Sequence, residues 1–263
     1  MLQIEKVNEN NQENVIEYLK QDVVKHVFAF NDLQYDPEHT TMYVAFENGR
    51  LKGYILIYTA LQFPSVFLEC ELTIAKKLID FTPKNQFIMH PPPNLLSIIK
   101  QKFPKMKHYV ENWMFVKKGE GHFLKSALVH RLCSEDDAAG LALLLSTRSD
   151  RSPQTAKKYF ELIKKNPTYG VFINDKLVSY ASSFIQLPQV WMIGGVYTHQ
   201  DERNKGYATL ATSAVTEEAL KNSKAAALFV RSDNYPAVRT YEKIGYKTID
   251  KRLWVDVGTG IKP

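Results

Sequence analysis

Cysteine is nearly absent: Cys70 and Cys133 are the only two in 263 residues, and neither has metal-ligand spacing around it. That argues against a disulfide-built scaffold and a thiolate metal site, and for a reducing compartment with both thiols expected to be buried small hydrophobes. No metal is expected. Long apolar runs are missing too. No stretch approaches the roughly 20 apolar residues of a membrane span, and residues 1–14 are polar with no apolar core of a secretory signal. A cytoplasmic protein without membrane partners is expected. Charge of one sign is only in slight excess, 34 Lys and Arg against 28 Asp and Glu. The lysines are scattered, so nucleic acid is not an expected partner, whereas an anionic cofactor suits the sign.

What is present is an ordinary globular composition, 44% hydrophobic and 24% charged, enough for a real core. The length fits one large domain or two of about 130 residues. Strand-like runs and helical periodicities alternate along the chain. Asn48-Gly49 between Met42–Phe46 and Leu51–Tyr58 is a hairpin signal. Pro91-Pro92-Pro93 ends the strand before it. Lys117 to His122 is polar and glycine-containing, the best linker candidate. After it the order repeats: Tyr43, Phe46, Asn48, Leu51 and Tyr54 recur 126 positions later as Tyr169, Phe172, Asn174, Leu177 and Tyr180. Two copies are expected, 1–122 and 123–263, each of mixed α/β (α+β sheet) class.

One stretch concentrates the chemistry. Val190 to Ile193 is an apolar run suited to a buried strand, and Tyr207, Leu210, Ala211, Ala214 and Val215 recur at helical spacing. Between them lies Arg203-Asn204-Lys205-Gly206-Tyr207-Ala208. A helix start offers amide N–H groups without acceptors and a positive dipole end. Gly206 and Ala208 allow close approach to the backbone, and Arg203 and Lys205 add cationic charge. The pattern is that of a phosphate cradle.

With Asn234-Tyr235-Pro236-Ala237 and Tyr241-Glu242-Lys243-Ile244-Gly245-Tyr246 following in order, this stretch resembles the GNAT superfamily of acyl-CoA-dependent N-acyltransferases. Its motifs R/Q-x-x-G-x-G/A and N-x-x-A-x-x-x-Y-x-x-x-G-F/Y both occur, with Ala208 in the third small position. The two-copy layout is similar to the glycine N-acyltransferase and FR47-like branch. The resemblance implies two tandem GNAT-like halves. In 1–122 the cradle equivalent, Glu69-Cys70-Glu71-Leu72-Thr73, lacks glycine and places carboxylates where phosphates would sit. That half is expected to be degenerate, and 123–263 to be the catalytic domain.

The resemblance further implies acetyl-CoA as co-substrate and transfer of an acetyl or short acyl group to a primary amine, small-molecule or peptide, in a ternary complex. It puts the cofactor against Val196, Tyr197 and Thr198, against Arg203 to Thr209 (Arg203, Asn204, Lys205, Gly206, Tyr207, Ala208, Thr209), and against Asn234. Tyr241 would be the general acid for the departing thiolate, a role that suits a phenol protonated at neutral pH; its helical spacing with Val238 and Ile244 also fits a core tyrosine. No base is evident: the strand before the cradle has no carboxylate, and Asp233 reads equally as base or helix cap. Arg148 and Arg151 read as an acceptor clamp or as surface charge. The rival reading is a non-catalytic acyl-CoA sensor or interaction protein. Oligomeric state is not legible.

Overall fold

The computed structural model describes residues 2–148 and 154–260. In chain order the first elements are β1 (Leu2–Lys6), α1 (Gln12–Lys20), α2 (Val27–Tyr35), β2 (Thr40–Glu47), β3 (Arg50–Tyr58), β4 (Ser65–Cys70), α3 (Leu72–Leu78), β5 (Phe87–His90), α4 (Leu96–Lys102) and β6 (Lys107–Lys117). There follow β7 (Val129–Arg131), α5 (Glu135–Ser146), α6 (Ala156–Lys165), β8 (Thr168–Ile173), β9 (Lys176–Gln186), β10 (Trp191–Thr198), α7 (Tyr207–Asn222), β11 (Ala225–Arg231), α8 (Tyr235–Ile244) and β12 (Lys247–Val257). The class is mixed α/β, as the alternation predicts. The helix α2 is not foreshadowed by the periodicity, because its sequence is apolar on most sides: Val27, Ala29, Phe30 and Leu33 are all buried.

The repeated hairpin is a repeat in structure as well. β2 pairs with β3 with a register shift between Ala45 and Phe46, and β8 pairs with β9 with one between Val171 and Phe172, the same offset of 126. Asn48 and Asn174 share a left-handed φ of +50° and +48°, which asparagine tolerates in a tight turn. Tyr54 and Tyr180 are both buried.

Packing divides the described chain into residues 2–112 with 250–260, and residues 113–249. In the first unit the strand order is β1-β2-β3-β4-β5 followed by β12, with β4 and β5 parallel and the other registered pairs antiparallel. In the second it is β6-β11-β10-β9-β8-β7, with β10 and β11 parallel and β7 to β10 antiparallel in succession. The chain thus enters the second unit partway along β6 and leaves it partway along β12, in place of a single cut near residue 122. Residues 118–122 are accordingly not a loose tether. The Lys118 N–H donates to the Lys224 carbonyl and the His122 N–H to the Ile244 carbonyl, each at 2.9 Å.

The second unit buries residues on both faces of its sheet. Val215, Ala219, Tyr241, Ile244 and Tyr246 pack with β10 and β11 on one side. Leu141, Leu144, Leu145 and Ile163 pack with Leu177 and Tyr180 on the other. A Ser134–Asp137 capping box starts α5, satisfying two otherwise unpaired amides.

The first unit buries titratable groups. Glu69 at the end of β4 is ion-paired with Arg252 (2.6 Å) and Lys25 (3.0 Å); burial opposes its ionisation, but the two cations outweigh it and hold its pKa low. His26, hydrogen-bonded to the Tyr54 hydroxyl at 2.9 Å, and His90, stacked on Phe67, are each pushed down to about 4 by burial. Both folded pKa values lie below the free value of 6.5, so their contributions are present above pH 6.5 and lost as pH falls toward 4. Each is worth roughly 3 kcal/mol. Buried Asp32 is raised to about 6 and acts in the opposite sense over the lower part of that window, offsetting one histidine. The melting temperature is therefore expected to fall between pH 6.5 and 4. His90→Phe, which keeps the ring stack, should flatten the fall, and an unchanged slope in a pH-resolved thermal scan would contradict this assignment.

Candidate active site

Beyond β10 the chain makes one 3₁₀ turn, Gln200–Glu202, and enters α7. Asn204 and Gly206 are left-handed, φ +64° and +83°, and Gly206 is the N-cap of the helix with no capping side chain. Its carbonyl accepts the first intrahelical bond, from the Leu210 N–H at 3.1 Å. The amides of Tyr207, Ala208 and Thr209 therefore have no intrahelical acceptor. Among the described residues, no acceptor is bonded to the amides of Asn204, Lys205 or Gly206 either. Six successive N–H donors thus lie at the positive end of a 16-residue helix. A Cβ built on Gly206 would meet nothing within 4 Å, so the space over the turn is open.

The side chains of this turn do less than its backbone. The Lys205 ammonium is held by Glu202 at 2.8 Å, a bond that raises its pKa. Arg203 donates from Nε to the Thr198 carbonyl at 3.3 Å, with its guanidinium 5.9 Å from the Tyr197 ring centre. Thr209 is buried, while Tyr207 packs partly against the core.

Before the turn, β10 parts from its parallel neighbour. Registered pairs with β11 are Trp191 with Ala226 and Met192 with Ala227, and none follows them. On its other edge β10 bulges: Gly194 faces Ser182, but the next registered pair is Tyr197 with Tyr180. The bulge places Gly195 (φ +66°) and Val196 out of register, where backbone groups are freed from the ladder. Cβ atoms at Gly194 and Gly195 would approach the Phe184 ring to 2.8 Å and the Tyr180 hydroxyl to 3.0 Å. Two adjacent glycines inside a strand are the sequence signal for this bulge; the motif pattern alone passes over both them and Tyr180. Val196 packs on the α7 side. Tyr197 turns to the opposite face, where its hydroxyl meets Thr147 at 2.9 Å and Arg148 lies 5.1 Å from its ring centre. Thr198 is buried and hydrogen-bonded to Ser179 at 2.7 Å. Arg151 lies outside the described residues.

On α8, Asn234 is the N-cap, its Oδ1 accepting from the Ala237 N–H at 3.3 Å; its carboxamide N–H groups make no hydrogen bond among the described residues. Tyr241 is buried, 7% exposed, and edge-on to Tyr246, whose hydroxyl is bonded to Thr216 at 2.9 Å. The Tyr241 hydroxyl makes no hydrogen bond among the described residues, yet it is not sealed from solvent. Burial alone pushes its pKa up to about 12. Asp233 is clamped by Arg231 through Nε and Nη2 at 2.9 and 2.7 Å, a pairing that lowers its pKa and makes it a poor base. Asp233→Asn is accordingly expected to change turnover by no more than about twofold; a loss of a hundredfold would restore it as the base.

Among the described residues there is no His, Cys, Asp and Glu cluster of metal-binding form, and no helix long and apolar enough to cross a membrane.

Residues 168–255 match the family model of FR47-like proteins. Solved structures share the fold over the whole chain. A protein from Drosophila melanogaster is 11% identical with a TM-score of 0.75, covering 97% of this chain and 98% of its own. A GCN5-related N-acetyltransferase from Sphaerobacter thermophilus is 11% identical with a TM-score of 0.66, covering 100% and 98%. A tandem GNAT protein from the clavulanic acid biosynthesis pathway is 13% identical with a TM-score of 0.59, covering 99% and 100%. At such identities the likeness is one of fold. No curated protein sequence matches the chain significantly.

Proposed function

From a chain that has the GNAT fold in tandem and is FR47-like over residues 168–255, we propose that the second unit is an acyl-CoA-dependent N-acyltransferase, using acetyl-CoA or a short acyl homologue, and that the first unit is degenerate. The carrying observation is the run of six acceptor-free amides, Asn204 to Thr209, around an open Gly206. Such a run fits a diphosphate and has no role in the fold's own hydrogen bonding. In the first unit the corresponding segment opens with Glu69, already ion-paired with Arg252 and Lys25, and Glu71, paired with Lys52 at 3.1 Å; neither leaves a cradle for phosphate.

When bound, the acyl-CoA supplies the thioester that an amine attacks. The Asn204–Thr209 amides, with Arg203 nearby, hold the diphosphate. The backbone freed where β10 leaves β11 aligns the pantetheine arm, and an N–H near Val196 or Tyr197 polarises the carbonyl oxygen. Asn234 offers its carboxamide N–H groups to the arm. Tyr241 Oη, protonated far above neutral pH, gives its proton to the departing sulfur. No carboxylate is placed as base: the acceptor would enter as a free amine, the N–H proton it sheds after attack would pass to water, and Tyr241 would recover from water the proton it gave to sulfur. Transfer is direct, in a ternary complex, to a small-molecule or peptide amine.

The clamped Asp233 also favours a second reading, a non-catalytic acyl-CoA sensor. Acetyl transfer from acetyl-CoA to a panel of amino acids, polyamines and peptides separates the two. Product with any amine supports the enzyme. Calorimetric acetyl-CoA binding without product supports the sensor, and absence of binding removes both.

A further inference from the structure

The end of the second unit opposite the cradle carries an open surface pocket of about 410 Å³. Its walls include Trp191 at the start of β10, Glu218 in the last turns of α7, Arg131 of β7, and Lys165, Pro167 and Leu187 from neighbouring chain. The cradle lies at the other end of the same two elements, and eight residues of strand or sixteen of helix each span roughly 24 Å. This pocket is therefore separate from the site described above.

Its polar groups do not cancel. Arg131 donates from Nη1 to Glu218 Oε1 at 2.7 Å, and Glu218 Oε2 is buried, with the Tyr169 phenol beside the carboxylate, so that carboxylate is engaged by Arg131 and Tyr169 and turned inward. Lys165 has no ion-pair partner among the described residues. One net positive charge remains. Trp191 is 8% exposed, and its indole N–H, a donor with no acceptor capacity, takes part in no hydrogen bond among the described residues. Pro167 and Leu187, both buried, add apolar wall. The volume lies in the range of small-molecule sites, and the lining mixes charged and polar side chains with a smaller apolar share.

We propose that this pocket binds a small monoanionic organic carboxylate with an apolar body. Its charge meets Lys165 and the outer guanidinium edge of Arg131, one carboxylate oxygen accepts from the Trp191 N–H, and its hydrocarbon part lies against Pro167 and Leu187. Glu218, paired and turned inward, leaves room for the anion without direct repulsion.

Calorimetry on the full chain with sodium 3-methylbutanoate, 3-methylbutanamide and leucine tests this. The carboxylate should bind saturably, and the neutral amide at least about tenfold more weakly, since it lacks the charge that strengthens each bond. Trp191→Phe keeps an aromatic ring, though a smaller one, and removes the donor; Lys165→Gln alters only an exposed side chain. Each should weaken 3-methylbutanoate roughly five- to tenfold while coenzyme A binding stays unchanged, which separates this site from the cradle. No saturation by 3-methylbutanoate, equal affinity for the amide, or unchanged affinity in both variants would overturn the proposal. Leucine binding more tightly than 3-methylbutanoate would overturn the monoanion assignment in favour of a zwitterion.

Discussion

Gly206→Glu is expected to remove coenzyme A binding, with a loss of about a thousandfold or more, while Gly206→Ala weakens it only about tenfold. The two substitutions separate two effects at one position. A Cβ at 206 meets nothing within 4 Å, so neither variant is excluded by packing. Alanine adds the cost of a left-handed φ of +83°, of order 1–2 kcal/mol, which the turn relieves by rotating some amides off their common focus. Glutamate adds that cost and a carboxylate beside the diphosphate. Like charges about 4 Å apart at an effective dielectric of 20 repel by about 4 kcal/mol per pair, which places the affinity beyond a calorimetric window. Because the position is exposed, both variants should melt within a few degrees of the parent. Glutamate-variant binding within tenfold of the parent would mean that the Asn204–Thr209 amides are not where the diphosphate lies.

The turn before α7 was legible because backbone geometry there is written in residue types: Gly206 is left-handed, and the helix starts after it. The hairpin repeat was legible for the same reason, since Asn48 and Asn174 mark matched turns. The exchange of closing strands was not. Trp113 to Lys117 and Asp250 to Val257 look alike as strands, and nothing local in either tells it which unit to join. Side-chain roles in the site were equally hidden. Sequence spacing puts Tyr197 beside Val196 as a cofactor residue, but the pleat sends its ring to the α5–α6 face, to Thr147 and Arg148. Lys205 reads as cradle charge until its pairing with Glu202 is seen. Asp233 reads as base or cap, and the structure makes it Arg231's partner while Asn234 does the capping.

Tyr241→Phe is expected to lower kcat by about a hundredfold or more, with coenzyme A affinity unchanged. The packing makes this an informative substitution. Tyr241 is 7% exposed and edge-on to Tyr246, so phenylalanine fills the same space. Its hydroxyl has no hydrogen-bond partner among the described residues and keeps some contact with solvent, so its removal should leave the melting temperature nearly unchanged. A core tyrosine of this kind has no structural reason to keep its oxygen; a proton donor does. The pH dependence carries the same sign. Burial raises the phenol to about 12, so the proton is held at every working pH, and activity should not decline on this group's account until pH approaches 12, well above the ordinary tyrosine range near 10. The phenylalanine variant should leave the remaining pH profile intact while lowering its height. Turnover within twofold of the parent, with affinity and melting temperature also unchanged, would reduce Tyr241 to a packing residue and leave the sulfur to depart as thiolate or with a proton from water.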